Sequence, residues 1–119
     1  MPRMIRANSV SRALAVIGDR WSLLMLAAAF QGARRFDDWR RGIGIATNVL
    51  AERLNRLVAH GCLARVPVGE GQRRQEYRLT EKGEGLFHYA VVLNAWGDRW
   101  LVPPSGPAYQ PVHRGCGEV

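Results

Sequence analysis

ATNVLAERLNRLVAHGCLARV, residues 46–66, decides how the chain is read. Leu50, Leu54, Leu57 and Val58 recur at the spacing that lines one face of an α-helix, and Gly61 closes it. On the opposite face Asn48, Glu52 and Asn55 follow at helical spacing, flanked by Thr47 and Ala51. A solvated helix usually carries charged residues there. Small and amide side chains instead suit base edges. Asparagine pairs with adenine, Thr and Ala methyls meet the thymine methyl, and Glu accepts from cytosine. Arg53 and Arg56 stand at the flanks, where phosphates would run. An ordinary amphipathic helix would show much the same pattern, so the rest of the chain has to decide.

Charge is the first discriminator. The chain has 119 residues and a formal net charge of +7, and that charge is unevenly spread. Residues 34–78 hold ten arginines against five acids, whereas residues 79–119 hold three basic residues against four acids. A basic stretch joined to a near-neutral one is the footprint of a polyanion-binding half beside a half with another task. Solvated basic surface alone would give the same count. No apolar run reaches the length of a membrane span, and the N-terminus lacks a secretory h-region. The expectation is a cytoplasmic protein that does not engage a membrane.

The order of elements follows from periodicity and caps. SVSRALAVI (residues 9–17) reads as a first helix, with Gly18 as its stop and Asp19 as N-cap of the next. That second helix, RWSLLMLAAAF, is apolar nearly all round and is the expected centre of the core, ending at Gly32. Asp37 is the expected cap of a short third helix, DDWRRGI, broken by Gly42 and Gly44. After the quoted helix, CLARVPV and RQEYRL read as strands joined by GEGQR, with Pro67 marking an edge or bulge. Thr80 caps a last helix running through TEKGEGLFHYAVVLNAWGDRWL, its start weakened by Gly83 and Gly85. Three helices, a hairpin and a long helix make a mainly α fold with a small β-hairpin (α+β), a winged helix-turn-helix with additional N- and C-terminal helices. In such domains the third core helix enters the major groove and the wing lies over phosphates. Arg73 and Arg74 sit in the hairpin turn where the wing, about residues 69–74, would track the backbone.

With those pieces in place, the sequence resembles the HxlR-type bacterial transcription regulators. The matching segments are AL-VIGDRWSLLML (13–26, Ala15 at the gap), RRF (34–36), VLAERLNRLVAHG (49–61), EYRLTEKG (76–83) and AWG (95–97). The resemblance implies a homodimer on a palindromic operator, and Arg34 and Arg35 join the DNA-contacting candidates. Two departures matter. Some members resemble redox sensors with a cysteine in a Cys-Pro-Val context, where this chain has Asn8-Ser9-Val10, so thiol sensing is not expected. Where the family often has Ser at the start of the recognition helix, this chain has Ala46, which cannot cap. Losing a cap costs about 1 kcal/mol. Thr47 is the alternative cap, in competition with its own base contact.

The last helix carries a wide apolar stripe: Leu86, Tyr89, Leu93, Trp96 and Trp100, broadened by Val91, Val92 and Leu101. One small domain cannot easily cover it, so part is expected to be a dimer interface, with Leu14 and Ile17 of the first helix as neighbours. Capping of the monomer core is the competing reading. Trp21, Trp96 and Trp100, with Trp39, are candidates to line a pocket for a flat apolar effector, although tryptophans in a small domain also serve as core. Residues 1–102 are expected to form the winged domain with its dimerisation helices, and 103–119 an extended Pro/Gly-rich tail.

That tail places His113 and Cys116 at His-x-x-Cys spacing, half of a zinc set with no second pair, so neither metal nor cofactor is expected. In some relatives a similar motif opens a longer extension, and this chain is expected to stop early. Cys62, beside Leu63, is expected to be buried as a small hydrophobe. There is no G-x-S-x-G, no H-E-x-x-H and no phosphate loop, so an enzyme is not expected. A winged-helix protein-interaction module remains the alternative; it would not need Arg53, Arg56, Arg73 and Arg74 together.

Overall fold

The computed structural model describes residues 8–101. The elements, in order, are α1 (Ser9–Ile17), α2 (Arg20–Phe30), α3 (Phe36–Ile43), α4 (Thr47–Ala59), β1 (Leu63–Val68), β2 (Arg74–Leu79), α5 (Glu81–Glu84) and α6 (Phe87–Trp100). This is a winged helix-turn-helix. The described residues divide into two compact units at Phe87/His88. That boundary falls inside the stretch expected to form one domain.

In the first unit the core is built by helix faces that the sequence marks. Met25, Leu26 and Ala29 of α2 and Leu50, Leu54 and Leu57 of α4 are fully buried, joined by Ile17, Trp39, Ile45, Cys62 and Leu63. Trp39 is wholly buried, and its indole N–H donates to the Met25 carbonyl at 2.9 Å, so the ring fills the core without an orphaned donor. Leu24, expected inside an all-round apolar α2, is instead 44% exposed. Asp19 caps α2 as expected, accepting from the Trp21 and Ser22 backbone N–H groups and the Ser22 hydroxyl.

The start of α3 differs from expectation. The helix begins at Phe36, and its N-terminus is closed by Asp38, which accepts from the backbone N–H groups of Arg34 and Arg35 at 2.9 Å each. Asp37, in the same first turn, pairs with Arg40 and Arg41 instead. An acid three positions into a helix can reach back to the orphan donors as well as a residue before it. Gly42 lies within α3, and Gly44, at φ 66°, ends it in the left-handed conformation.

β1 and β2 pair antiparallel in register from Leu63↔Leu79 to Val68↔Arg74, and Pro67 sits opposite Gln75 without a bulge. The connection is a tight turn over Glu70–Gln72. On the outer edge of β2 the Tyr77 N–H donates to the Arg34 carbonyl at 2.7 Å, tying the α2–α3 link to the hairpin.

The long last helix expected from Thr80 onward is two helices. Thr80 caps α5, its hydroxyl accepting from Gly83 N–H, and the chain breaks at Gly85 and Leu86 before α6. Gly83 is not merely a weak helix former. It is buried, and a Cβ there would stand 2.2 Å from the Cys62 carbonyl oxygen, so α5 lies against the α4–β1 link at a distance only glycine allows.

In the second unit α6 is exposed along Tyr89, Val92, Leu93, Trp96 and Trp100, with the Arg99 guanidinium over the Trp100 ring at 4.9 Å. Among the described residues no single helix is long and apolar enough to cross a membrane.

Candidate nucleic-acid interface

α4 is held by its inner face, and what remains outside is the proposed reading surface. Thr47, Asn48, Ala51, Glu52 and Asn55 are all exposed. Ala46 occupies the N-cap position with no side-chain bond, and Thr47 is the first helical residue. Thr47 therefore does not take over the cap.

Three arginines placed among the DNA-contacting candidates turn out to be tied within the fold. Arg53 donates from Nε to the Asp19 carboxylate at 3.0 Å, with both side chains only about one-fifth exposed, and also pairs with Glu52. Arg56 reaches back to the Ala15 carbonyl of α1 at 3.1 Å. Arg34 donates to the Ala29 and Ala33 carbonyls at 2.8 Å each, closing the end of α2, while its own backbone serves α3 and β2. Helical periodicity marks Arg53 and Arg56 as flanking residues, but cannot show that α1 and the Asp19 cap lie beside them.

Asp19 is a junction. Burial acts to raise its carboxyl. The Ser22 hydroxyl, the Ser22 and Trp21 N–H groups and the Arg53 charge outweigh it and hold the carboxyl below its ordinary value. Asp38 is likewise lowered, first by the Arg34 and Arg35 backbone N–H groups, against a smaller effect of burial.

The arginines left free are elsewhere. Arg35, Arg73 and Arg74 are exposed and make no ion pair among the described residues. One residue that the sequence reading missed stands between wing and helix. Arg65 of β1 donates to Asn55 Oδ1, and its guanidinium lies over the Tyr77 ring at 5.8 Å. The hairpin register pairs Arg65 with Tyr77, a signal that pairing the two strands on paper would have exposed.

This geometry has close counterparts. The sequence model of the HxlR-like helix-turn-helix matches residues 16–105. The chain belongs to the HxlR-like family. It is 48% identical over 111 residues, 93% of this chain and 70% of the relative, to Rv3095, an uncharacterized HTH-type transcriptional regulator of Mycobacterium tuberculosis. The crystal structure of PA1607, described as a candidate transcription factor, superposes with a TM-score of 0.85 at 40% identity, covering 96% of this chain and 80% of that one. The redox regulator HypR in its reduced form gives a TM-score of 0.69 at 30% identity, covering 76% and 90%. This HxlR-like chain is a transcription regulator with a helix-turn-helix domain, and its family and relatives are regulators rather than enzymes.

The remaining expectations sort by burial. Cys62 of this HxlR-like chain is buried; burial pushes its thiol up and the Lys82 charge only partly offsets that, which disfavours the reactive thiolate. Ile17, expected at a dimer interface, is buried in the core, and Leu86 is half-buried against it. Leu14 is 48% exposed. A cleft of about 180 Å³ in the first unit is lined by Ala13, Val16, Ile17, Cys62, Lys82 and Leu86, with no tryptophan among them. Trp21 is half-buried against the core, and Trp96 and Trp100 lie exposed on α6. His113, Cys116 and the 103–119 tail lie outside the described residues.

Proposed function

We propose that the chain is a sequence-specific double-stranded DNA-binding regulator that acts as a homodimer on a palindromic operator and represses transcription. α4 occupies the major groove through Thr47, Asn48, Ala51, Glu52 and Asn55, while Arg73, Arg74 and Arg35 hold phosphates. The observation that carries this reading is the outer face of α4. It is exposed and free of unpaired positive charge, and the free cations lie in the turn and link instead. That division is what base readout flanked by backbone contacts requires.

Arg65 refines the readout. Arg65 donates to Asn55 Oδ1, which fixes the orientation of the amide while a second lone pair and the N–H donors stay available to a base edge. Homodimerisation is supported by the apolar residues left exposed on α1 (Val10, Leu14) and on α6 (Val92, Leu93, Trp96, Trp100). A second copy covering them removes a surface that a soluble monomer rarely carries. Operator binding places the protein in the cytoplasm with the chromosome.

The test is fluorescence anisotropy with DNA from upstream of its own reading frame and a scrambled duplex, at two salt concentrations. Tighter, steeply salt-dependent binding to the cognate duplex is expected. Equal affinity for both duplexes would refute sequence-specific recognition.

A further inference from the structure

We propose that the cavity beneath α1 is a binding site for a small apolar carboxylic acid, with Lys82 as the anchor for the carboxylate. Its walls are the aliphatic side chains of Ala13, Val16 and Ile17 from α1 and Leu86, with the Cys62 thiol at the back. Lys82 is the only lysine in the chain. Its stem runs past Gly61, where a Cβ would meet Cδ at 3.7 Å and Nζ at 4.0 Å. Its ammonium forms no ion pair among the described residues, although Glu81 and Glu84 are close in sequence.

An apolar, half-open cleft lined by the Lys82 stem, with the unneutralised ammonium at its rim beside Gly61, selects for charge as well as shape. Water finds few polar partners along such a lining, whereas an apolar body displaces it readily. The volume of about 180 Å³ exceeds the ~150 Å³ that suffices for one benzene ring. It therefore suits a single-ring or short branched-chain acid, and not a polycyclic one. A neutral ligand of the same body would leave the ammonium unpaired; the acid pairs it at the rim, where the charge is still partly hydrated.

The site also touches residues that hold the end of α4. Ala15, on the helix that forms one wall, is the residue whose carbonyl holds Arg56. Cys62, at the back, is bonded through its N–H to the Leu57 carbonyl at the end of α4. An occupant that shifts α1 therefore bears on the C-terminal end of the recognition helix. This coupling rests on the DNA-binding reading above; the ligand site itself does not.

The single lysine makes the test direct. The full chain is produced with ε-13C-lysine, which leaves one labelled side chain, and is titrated with phenylacetate and with 2-phenylethanol at matched ionic strength. Phenylacetate is expected to move the Lys82 signal saturably, with a dissociation constant between about 0.1 and 1 mM, the range open to a ligand of this size. It should bind at least fivefold tighter than the alcohol. By ligand-observed NMR, Lys82→Met should bring the acid down to the alcohol's affinity, and Ala13→Leu, which puts a larger side chain into the cleft, should abolish binding of both. Equal affinity for acid and alcohol in the unaltered protein would overturn the anchor. No binding of either would overturn the site. Should Ala13→Leu then also dissociate a dimer in sedimentation, the cavity would belong to a second copy. With DNA present, a change of at least threefold in operator affinity on saturation supports the coupling, and an unchanged affinity refutes it while leaving the Lys82 result standing.

Discussion

Arg53 looks like a phosphate contact in the sequence and is an internal tie in the structure; a double-mutant cycle with Asp19 separates the two roles. The Asp19 carboxylate does two things at once: it caps α2 and accepts from Arg53 at 3.0 Å. Removing a cap costs about 1 kcal/mol, and a hydrogen bond to a charged group contributes about 1.5–3 kcal/mol. Both side chains retain some contact with water, with 23% and 19% exposure. The lower part of that range is therefore appropriate, and the pair is expected to couple by about 1–2 kcal/mol. Asp19→Ala should then destabilise by about 2–3 kcal/mol and Arg53→Met by about 1–2 kcal/mol. The double variant should be no worse than Asp19→Ala alone, because the cap and the pair are each lost only once. Glu52→Gln, which touches only the exposed side of Arg53, should cost less than about 0.5 kcal/mol.

The assay is urea unfolding at pH 6, repeated at falling pH. Since the Asp19 carboxyl is held below its ordinary value of 3.8 in the folded protein, its contribution is complete above that value. It is lost as pH falls through the lower, folded one. The coupling should therefore fade below about pH 3.8 and not before. A coupling within about 0.3 kcal/mol of zero at pH 6, the limit of additivity for independent sites, would refute the structural role. So would a salt slope for DNA binding that falls in Arg53→Met while stability stays intact.

Arg73→Ala and Arg74→Ala should weaken binding to every duplex and flatten the dependence of log K on log salt by about one unit each; anisotropy at four salt concentrations reads this, and unchanged slopes would remove the wing from the backbone. Arg65→Met should release the Asn55 amide from its fixed orientation, so that in a base-substitution scan of the operator the preference at the Asn55 position weakens; an identical base profile in the variant would show that Arg65 does not set the amide. Gly83→Ala should destabilise by about 2–3 kcal/mol, the upper part of the range for overpacking, since the new Cβ would sit 2.2 Å from the Cys62 carbonyl oxygen; a loss below about 0.5 kcal/mol in thermal or urea unfolding would mean that the α5 contact is looser than described.

Local chemistry made most elements legible. Asp19 could be recognised as a cap, Leu50, Leu54 and Leu57 as an inward face, and the two strands from their β-branched residues and Gly-rich turn, because each depends on neighbours a few residues away. Contacts made over long sequence separations were not legible. Nothing near Gly83 in the chain indicates that the Cys62 carbonyl will lie against it, so the glycine looked like a helix weakness and not a packing requirement. Asp38 was passed over for Asp37 because two adjacent acids compete for one helix start, and only the backbone path through Arg34 and Arg35 decides between them. Among the candidate contacts, exposure of the amide and small residues on α4 followed from periodicity. The fate of Arg34, Arg53 and Arg56 did not, since long basic side chains go to whichever carbonyl or carboxylate tertiary packing brings within reach.

That fate separates two properties that DNA-binding helices often combine. Because Arg53 and Arg56 are tied within the fold, α4 contributes few mobile charges of its own, and on the proposed DNA-binding reading attraction to any duplex falls to the hairpin turn and the Arg35 link. Substitutions at Asn48, Ala51 and Asn55 can then change which sequence is preferred while the rate of finding and scanning DNA stays the same. On the proposed reading α4 is then a replaceable cartridge: operator preference would be reprogrammed there without retuning how strongly the protein lingers on the rest of the chromosome.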